Sequence, residues 1–218
     1  MGQMHVIRNI CQGIPDVSIV GTDVDDSRLQ ALAAKAGPHA ESNRVPMELI
    51  NTTKSGLSGR FSYYALLAPI GKLVAEAIAN SREGCLINVF AGIPAPTREK
   101  LDLDTYIANR CFMFGTSGSV IRDMKTVLEK VERGQLDTNS SVDAVSGMAG
   151  AREGLAAVED RRLAGKIVVY PALRDLELTP LTELPHRFPS VGERLERGQW
   201  TKAAEQELFR KWRTFGLR

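Results

Sequence analysis

Five short runs in this chain are apolar at consecutive positions, where a half-exposed strand would be apolar only at alternate ones. They are Val17–Gly21, Phe61–Leu67, Cys85–Phe90, Cys111–Phe114 and Lys166–Tyr170, with a weaker run at Glu48–Ile50. Strands of this kind are buried on both faces, which points to a parallel sheet covered by helices. The segments between them carry the helical period. Met4, Ile7, Ile10 and Cys11 form one stripe, stopped by Gly13-Ile14-Pro15. Leu29, Leu32, Ala33 and Ala36 form a second, begun by Asp25 or Asp26 as cap and closed by Gly37-Pro38. Helix follows at Ile70–Asn80, at Val120–Arg133 with Ile121, Met124, Val127, Leu128 and Val131 inward, and at Met148–Asp160. Strands alternating with helices predict an α/β fold of the doubly wound, Rossmann type over residues 1–170.

The remainder, 171–218, reads differently. Pro171, Pro180, Pro185 and Pro189 suit an extended wrap, and the end of the chain reads as a helix with Trp200, Ala203, Ala204, Leu208 and Trp212 on one face. Its other face mixes both signs of charge, so it is expected to dock on protein and not on a membrane.

Composition removes several classes of function. Lys and Arg total 28 against 26 Asp and Glu, a net charge of +2, and aromatics are 6%. Neither a basic face nor a base-stacking platform is indicated, so nucleic acid is not an expected partner. Cys11, Cys85 and Cys111 are odd in number and share no short spacing, against a disulfide framework or a zinc knuckle. No run reaches the roughly 18 apolar residues of a membrane span, and no basic-then-apolar leader opens the sequence. A cytoplasmic protein is the expectation.

In open parallel sheets, ligands bind at the carboxyl ends of the strands. Here those ends are small or polar: Gly21-Thr22-Asp23, Ala68-Pro69, Ala91-Gly92 and Gly115-Thr116-Ser117. A carboxylate closing the strand after the first crossover can accept both hydroxyls of an adenosine ribose and would repel a 2′-phosphate, so Asp23 favours NAD over NADP. Arg28, one helical turn later, can reach the same ribose. The alternative for Asp23 is a helix cap. Gly2 precedes Asp23 by 21 positions, close to the roughly 20 that separate phosphate-turn glycines from this acid in dinucleotide folds.

Met1-Gly2-Gln3-Met4-His5, together with the segments Cys85–Gly92, Arg110–Ser119 and Arg162–Tyr170, resembles the cofactor half of the medium-chain, zinc-type alcohol dehydrogenases. The likeness is nearer to the polyol and sugar-phosphate branch, which includes sorbitol dehydrogenase and sorbose-1-phosphate reductase. The resemblance implies an oxidoreductase that passes hydride between NAD and a secondary alcohol of a polyol or sugar phosphate. It implies Gly2 under the pyrophosphate, Asp23 and Arg28 on the ribose, and Ala68, Pro69, Phe90, Ala91, Gly92, Gly115 and Thr116 along the nicotinamide. Lys166 falls where the family places a cation on the pyrophosphate. A homo-oligomer is implied too, with Thr138–Val145 as the candidate edge strand for pairing subunits.

Two departures from that pattern carry expectations of their own. The family's zinc ligands have no counterpart, since His5, His39 and His186 are scattered and none has a ligand spacing to a Cys. No catalytic residue is therefore assigned. The sequence opens after the family's first cofactor-domain strand, which lies at the centre of the sheet. An N-terminally truncated fold is the expectation, with the strands on either side left without their shared neighbour. The second departure is Asn51–Arg60, too short and too rich in Thr, Ser and Gly for a helical crossover. An irregular connection and a poorly paired third strand are expected there. The alternative function is a non-catalytic nucleotide-binding or structural subunit. A methyltransferase of similar sheet order is a weaker rival.

Overall fold

The computed structural model describes residues 2–115, 118–160 and 162–215. In chain order the elements are α1 (Gly2–Ile10), β1 (Ile19–Asp23), α2 (Asp26–Asn43), β2 (Met47–Asn51), β3 (Phe61–Leu66), α3 (Gly71–Ala79), β4 (Ser81–Val89), α4 (Leu103–Ala108), β5 (Phe112–Gly115) and α5 (Ile121–Glu132). A 3-10 turn at Thr138–Ser141 leads into β6 (Val142–Ser146), α6 (Met148–Glu159), β7 (Lys166–Val169), β8 (Thr179–Pro180), α7 (Leu184–Arg187), α8 (Pro189–Gly192) and α9 (Lys202–Phe215). The fold is α/β and Rossmann-type.

Among the described residues the strands form three sheets: β1-β2, β3-β4-β5 and β7-β6-β8. All pairs are parallel except β6 with β8. No ladder joins β1 to β3, so the two strands expected to lack a shared neighbour do stand apart. The connection at 52–60 holds no helix, as expected. The strand before it is well paired, against expectation: β2 matches β1 at every position from Ile19↔Met47 to Asp23↔Asn51. Because β2 and β3 belong to different sheets, the link between them is not a crossover and needs no helix.

Each sheet has its own core. Ile7 and Ile10 of α1 meet Leu32, Ala36 and Ala40 of α2 over β1-β2. Leu66, Val74, Ala77, Ile78, Cys85, Ile87 and Cys111 fill the β3-β4-β5 layer. Val142 and Val145 of β6 pack with Leu173, Leu176, Leu184, Trp200 and Leu208, so residues after 171 supply most of the third core. Tyr170 joins the two parts: its hydroxyl accepts from Trp200 Nε1 at 3.1 Å and donates to Glu205 Oε2 at 3.0 Å. Close backbone approach tightens this region. A Cβ on Gly147 would lie 1.6 Å from the Leu173 carbonyl oxygen, and one on Gly150 would lie 2.1 Å from the Leu178 nitrogen.

Several boundaries and faces differ from the sequence reading. Helix α2 runs through Gly37-Pro38 to Asn43, because its buried stripe continues to Ala40 and that packing outweighs the bond lost at proline. Asp25, not Asp26, is its cap, accepting from the Ser27 amide. Strand β4 starts at Ser81, four residues early. Its register with β3 jumps from Phe61↔Ser81 to Tyr63↔Leu86, and Gly84 takes the left-handed backbone (φ 72°) that lets the extra residues loop out. Helix α5 has no buried residue: Ile121, Met124, Val127 and Leu128 are exposed. Ala203 is exposed and Trp200 precedes α9, while Ala204 and Leu208 are buried as expected.

The expected edge strand at Thr138–Val145 is a correction of a different kind. Its first half is the 3-10 turn, and β6 is the central strand of its sheet, with β7 on one side and β8 on the other. Its backbone groups are used within the chain, so it offers no edge for pairing subunits.

Candidate functional site

The carboxyl ends of β3, β4 and β5 finish in one row. Leu66 pairs with Val89, and Val89 with Gly115. That flush edge brings together Ala68-Pro69, Phe90-Ala91-Gly92 and Gly115, as their positions at strand ends imply. The Phe90 and Ala91 amides both donate to the Leu66 carbonyl, at 3.1 and 3.0 Å, which pins the loop after β4 against the end of β3. The turn after β3 closes on itself through Ile70 N–H to Ala68 O at 2.8 Å. Gly115 is small for a reason: a Cβ there would sit 3.2 Å from the Val89 carbonyl oxygen. Thr116 lies outside the described residues.

Helix α1 reaches the same edge. Gly2 lies beside Leu67, where a Cβ would meet Leu67 Cδ1 at 3.6 Å, an ordinary contact that glycine is not required to relieve. One turn on, the His5 ring meets Phe90 edge-on, with centroids 4.9 Å apart. Burial, then the charge of Arg8, lowers the His5 pKa from 6.5 and keeps the imidazole neutral. The sequence shows His5 only as one of three scattered histidines. Its only signal there was its place one turn after Gly2.

Across the opening stands Asp23, the last residue of β1. Its Oδ1 accepts from the Val24 amide at 2.8 Å and the Asp25 amide at 3.1 Å, and lies 3.8 Å from Arg28 Nη1. The carboxylate therefore shapes the turn out of β1, while Asp25 caps the helix. Both amide bonds fall on one oxygen. Asp23, Arg28, Gly2, His5 and Ala68 line a common cleft of about 2160 Å³ that runs between β1 and β3. Phe90 and Gly115 are not among its lining residues.

Lys166 is placed elsewhere. It is exposed at the amino end of β7, opposite Val142, in the third sheet. Its neighbour Gly165 lines the cleft; Lys166 itself does not. Asn88, in β4, was not singled out by sequence. It is buried, its Nδ2 reaches the Tyr63 hydroxyl at 3.4 Å, and its Oδ1 has no hydrogen-bond partner. A buried Asn on an otherwise apolar strand was the available signal.

The donors of this chain do not fit a zinc centre. Among the described residues no three His, Cys, Asp or Glu side chains come together in a way that could hold a metal ion. Cys11 Sγ lies 4.0 Å from His39 Nδ1, a pair with no third donor. Burial raises the thiols of Cys11 and Cys85, the latter to about 11 with help from Cys111, so neither is a ready thiolate ligand. Among the described residues no helix is long and apolar enough to cross a membrane.

No family model matches the sequence, and no curated protein matches it. Solved structures do match the fold. One is benzyl alcohol dehydrogenase from Acinetobacter calcoaceticus, 14% identical, TM-score 0.51, over 77% of this chain and 53% of that one. Another is L-idonate 5-dehydrogenase from Escherichia coli K-12, 11% identical, TM-score 0.51, over 77% and 55%. A third, described as a short chain alcohol dehydrogenase from Escherichia coli CFT073 complexed with NADH, is 10% identical, with TM-score 0.50 over 74% and 45%. The chain spans about half the length of these structures, and the likeness is one of fold.

Proposed function

We propose that this chain is the cofactor-binding part of an NAD-dependent oxidoreductase acting on secondary alcohols of the polyol or sugar-phosphate class. The observation that carries it is the Asp23 carboxylate at the end of β1, which lines one cleft together with Gly2, Arg28 and Ala68, the last of these just past the end of β3. Two similar structures bear on substrate and cofactor: one is an L-idonate 5-dehydrogenase and one holds NADH.

The residues present fit a dinucleotide at one end better than at the other. Asp23 would accept the ribose hydroxyls through the oxygen its own turn leaves unused, with Arg28 beside it. The same negative charge would oppose a 2′-phosphate and so select NAD over NADP. Ala68, Pro69, Phe90, Ala91, Gly92 and Gly115 would line the nicotinamide with small side chains and backbone, as would Thr116. Gly2 at the start of α1 would lie under the pyrophosphate, where helix amides favour negative charge. Lys166 stands apart from these residues and would need a long reach to share that charge. The nicotinamide supplies hydride chemistry; the protein orients it and keeps water from the ring.

The described residues hold no zinc ligand set, and this favours the second reading, a nucleotide-binding or structural subunit without turnover of its own. Titrating NADH into the purified chain and following its fluorescence tests both. Saturable binding, stronger for NADH than for NADPH, supports the cofactor role. Polyol oxidation by the same sample would place catalysis in this chain, and binding without oxidation would favour the second reading. Absence of any NADH binding refutes the cofactor role and leaves only a structural one.

A further inference from the structure

We infer that α5 is a self-recognition surface, on which the same helix of a second copy of this chain lies in the reverse direction. Among the described residues α5 has none that is buried, and its Ile121, Met124, Leu128 and Val131 are 72%, 60%, 56% and 37% exposed. Their spacing of three, four and three positions is that of a two-helix seam. Val120 and Val127, also exposed, widen the seam on one side. A stripe of this kind calls for a cover, and the stripe alone does not say which. The charges beside it do.

The flank next to Ile121 carries Arg122 and Lys125 in the first half of the helix and Glu129 and Glu132 in the second, all four exposed. In a reversed copy the seam stacks Ile121 on Val131 and Met124 on Leu128, each contact occurring twice about a two-fold axis. The basic half of the flank then meets the acidic half of the second copy's flank, again twice. Reversal also sets the positive amino end of each helix beside the negative carboxyl end of the other. A parallel copy would turn the same four charges toward the opposite flank. There, Asp123 is held by the Val120 amide at 3.0 Å and Lys130 by Gln12 Oε1 at 3.3 Å, so the charges are used within the chain. A lipid surface would gain nothing from Glu129 and Glu132. The flank is thus complementary to itself only when turned round. This places self-association away from β6, whose two edges are occupied. One helix pair is small beside the interface of a stable complex, so the dimer is weak, with a dissociation constant on the order of tens of micromolar.

The inference does not rest on the cofactor reading, and its test contains no nucleotide. Sedimentation of the full chain over about 1–500 µM should follow a monomer–dimer equilibrium. Two variants separate the charges from the stripe. Arg122→Glu with Lys125→Glu makes the flank acidic, and Glu129→Lys with Glu132→Lys makes it basic. The substituted side chains are exposed, so both variants are expected to fold, which circular dichroism of dilute samples checks. Each alone should dimerise about tenfold more weakly than the native chain, or worse. Their equimolar mixture should recover the native affinity to within about threefold, because acid meets base along the shared flank; a parallel pairing gives no such recovery. On the native chain alone, ANS fluorescence per chain should rise on dilution, as pairs part and uncover the stripe. A native chain that stays monomeric at the highest concentration overturns the inference, whether or not lipid vesicles then bind it. So does a mixture that associates no better than its components, or ANS fluorescence per chain that is constant over the same range.

Discussion

Arg28 Nη1 lies 3.8 Å from Asp23 Oδ1, one turn into the helix that follows the strand Asp23 ends. The same oxygen accepts the amides of Val24 and Asp25. One carboxylate oxygen thus holds the turn and meets the cation, and the charge of the side chain is placed at the mouth of the cleft.

Asp23→Asn separates the two roles. An amide oxygen keeps an acceptor for the turn but removes the charge. NADH affinity should weaken about tenfold, or roughly 1.4 kcal/mol, while the melting temperature stays close to that of the native chain. NADPH affinity should not weaken. Fluorescence titration of both nucleotides, with a thermal melt of the same samples, checks this; unchanged NADH affinity in a folded sample would contradict the ribose role.

Gly147→Ala should be strongly destabilising. The added methyl has no place to go, since the Leu173 carbonyl occupies the position, and relief requires the segment after residue 171 to move off β6. A loss of about 3 kcal/mol is expected, a fall of roughly 6–12 °C in melting temperature for a chain of this size. Near-ultraviolet circular dichroism reports the displaced segment through Trp200, buried in the same core.

His5 makes stability depend on pH. Its pKa in the folded chain is below 6.5, so the unfolded chain binds a proton first as pH falls. The contribution is fully present above pH about 6.5 and is lost as pH drops from there toward the lowered folded value. Urea unfolding at pH 7.5 and at pH 5.5 should show this slope. In His5→Phe, which keeps a ring against Phe90, that part of the slope should vanish.

The apolar face of α5 should tolerate charge. Met124 and Leu128 are 60% and 56% exposed, so Met124→Lys with Leu128→Glu should change stability by about 0.5 kcal/mol or less. The pair should also lower binding of the dye ANS, which reports accessible apolar surface.

Much of the architecture was legible because a strand buried on both faces leaves an unbroken apolar run. Cys85–Phe90 and Phe61–Leu67 were found that way, and the separation of β1 from β3 followed from the family resemblance together with its strand order. Helix ends were less legible. Gly37-Pro38 is a strong local stop, yet Ala40 carries the buried stripe past it. The stripe on α5 shows which side is apolar and says nothing about what covers it. The edge role expected of Thr138–Val145 came from the resemblance, and the antiparallel partner that makes β6 central, Thr179–Pro180, is two residues long, contains a proline and leaves little sequence signal. At the candidate site, Ala68, Ala91 and Gly115 were legible as small residues after apolar runs. The bonds of Asp23 to its own turn were not, because an acid at a strand end has the same sequence pattern whether it serves backbone or ligand.

Strand β6 is completed from both directions, by β7 shortly after it and by β8 and the helices that follow residue 171. Synthesis on the ribosome runs one way. While the nascent chain is shorter than about Leu208, Val142 and Val145 have no finished core to enter, and they stay open to chaperones and to other unfinished chains. Helix α9 is thus the one that commits this layer to its native form, and a nonsense codon between Tyr170 and Leu208 would leave it uncommitted however well the preceding layers had already assembled.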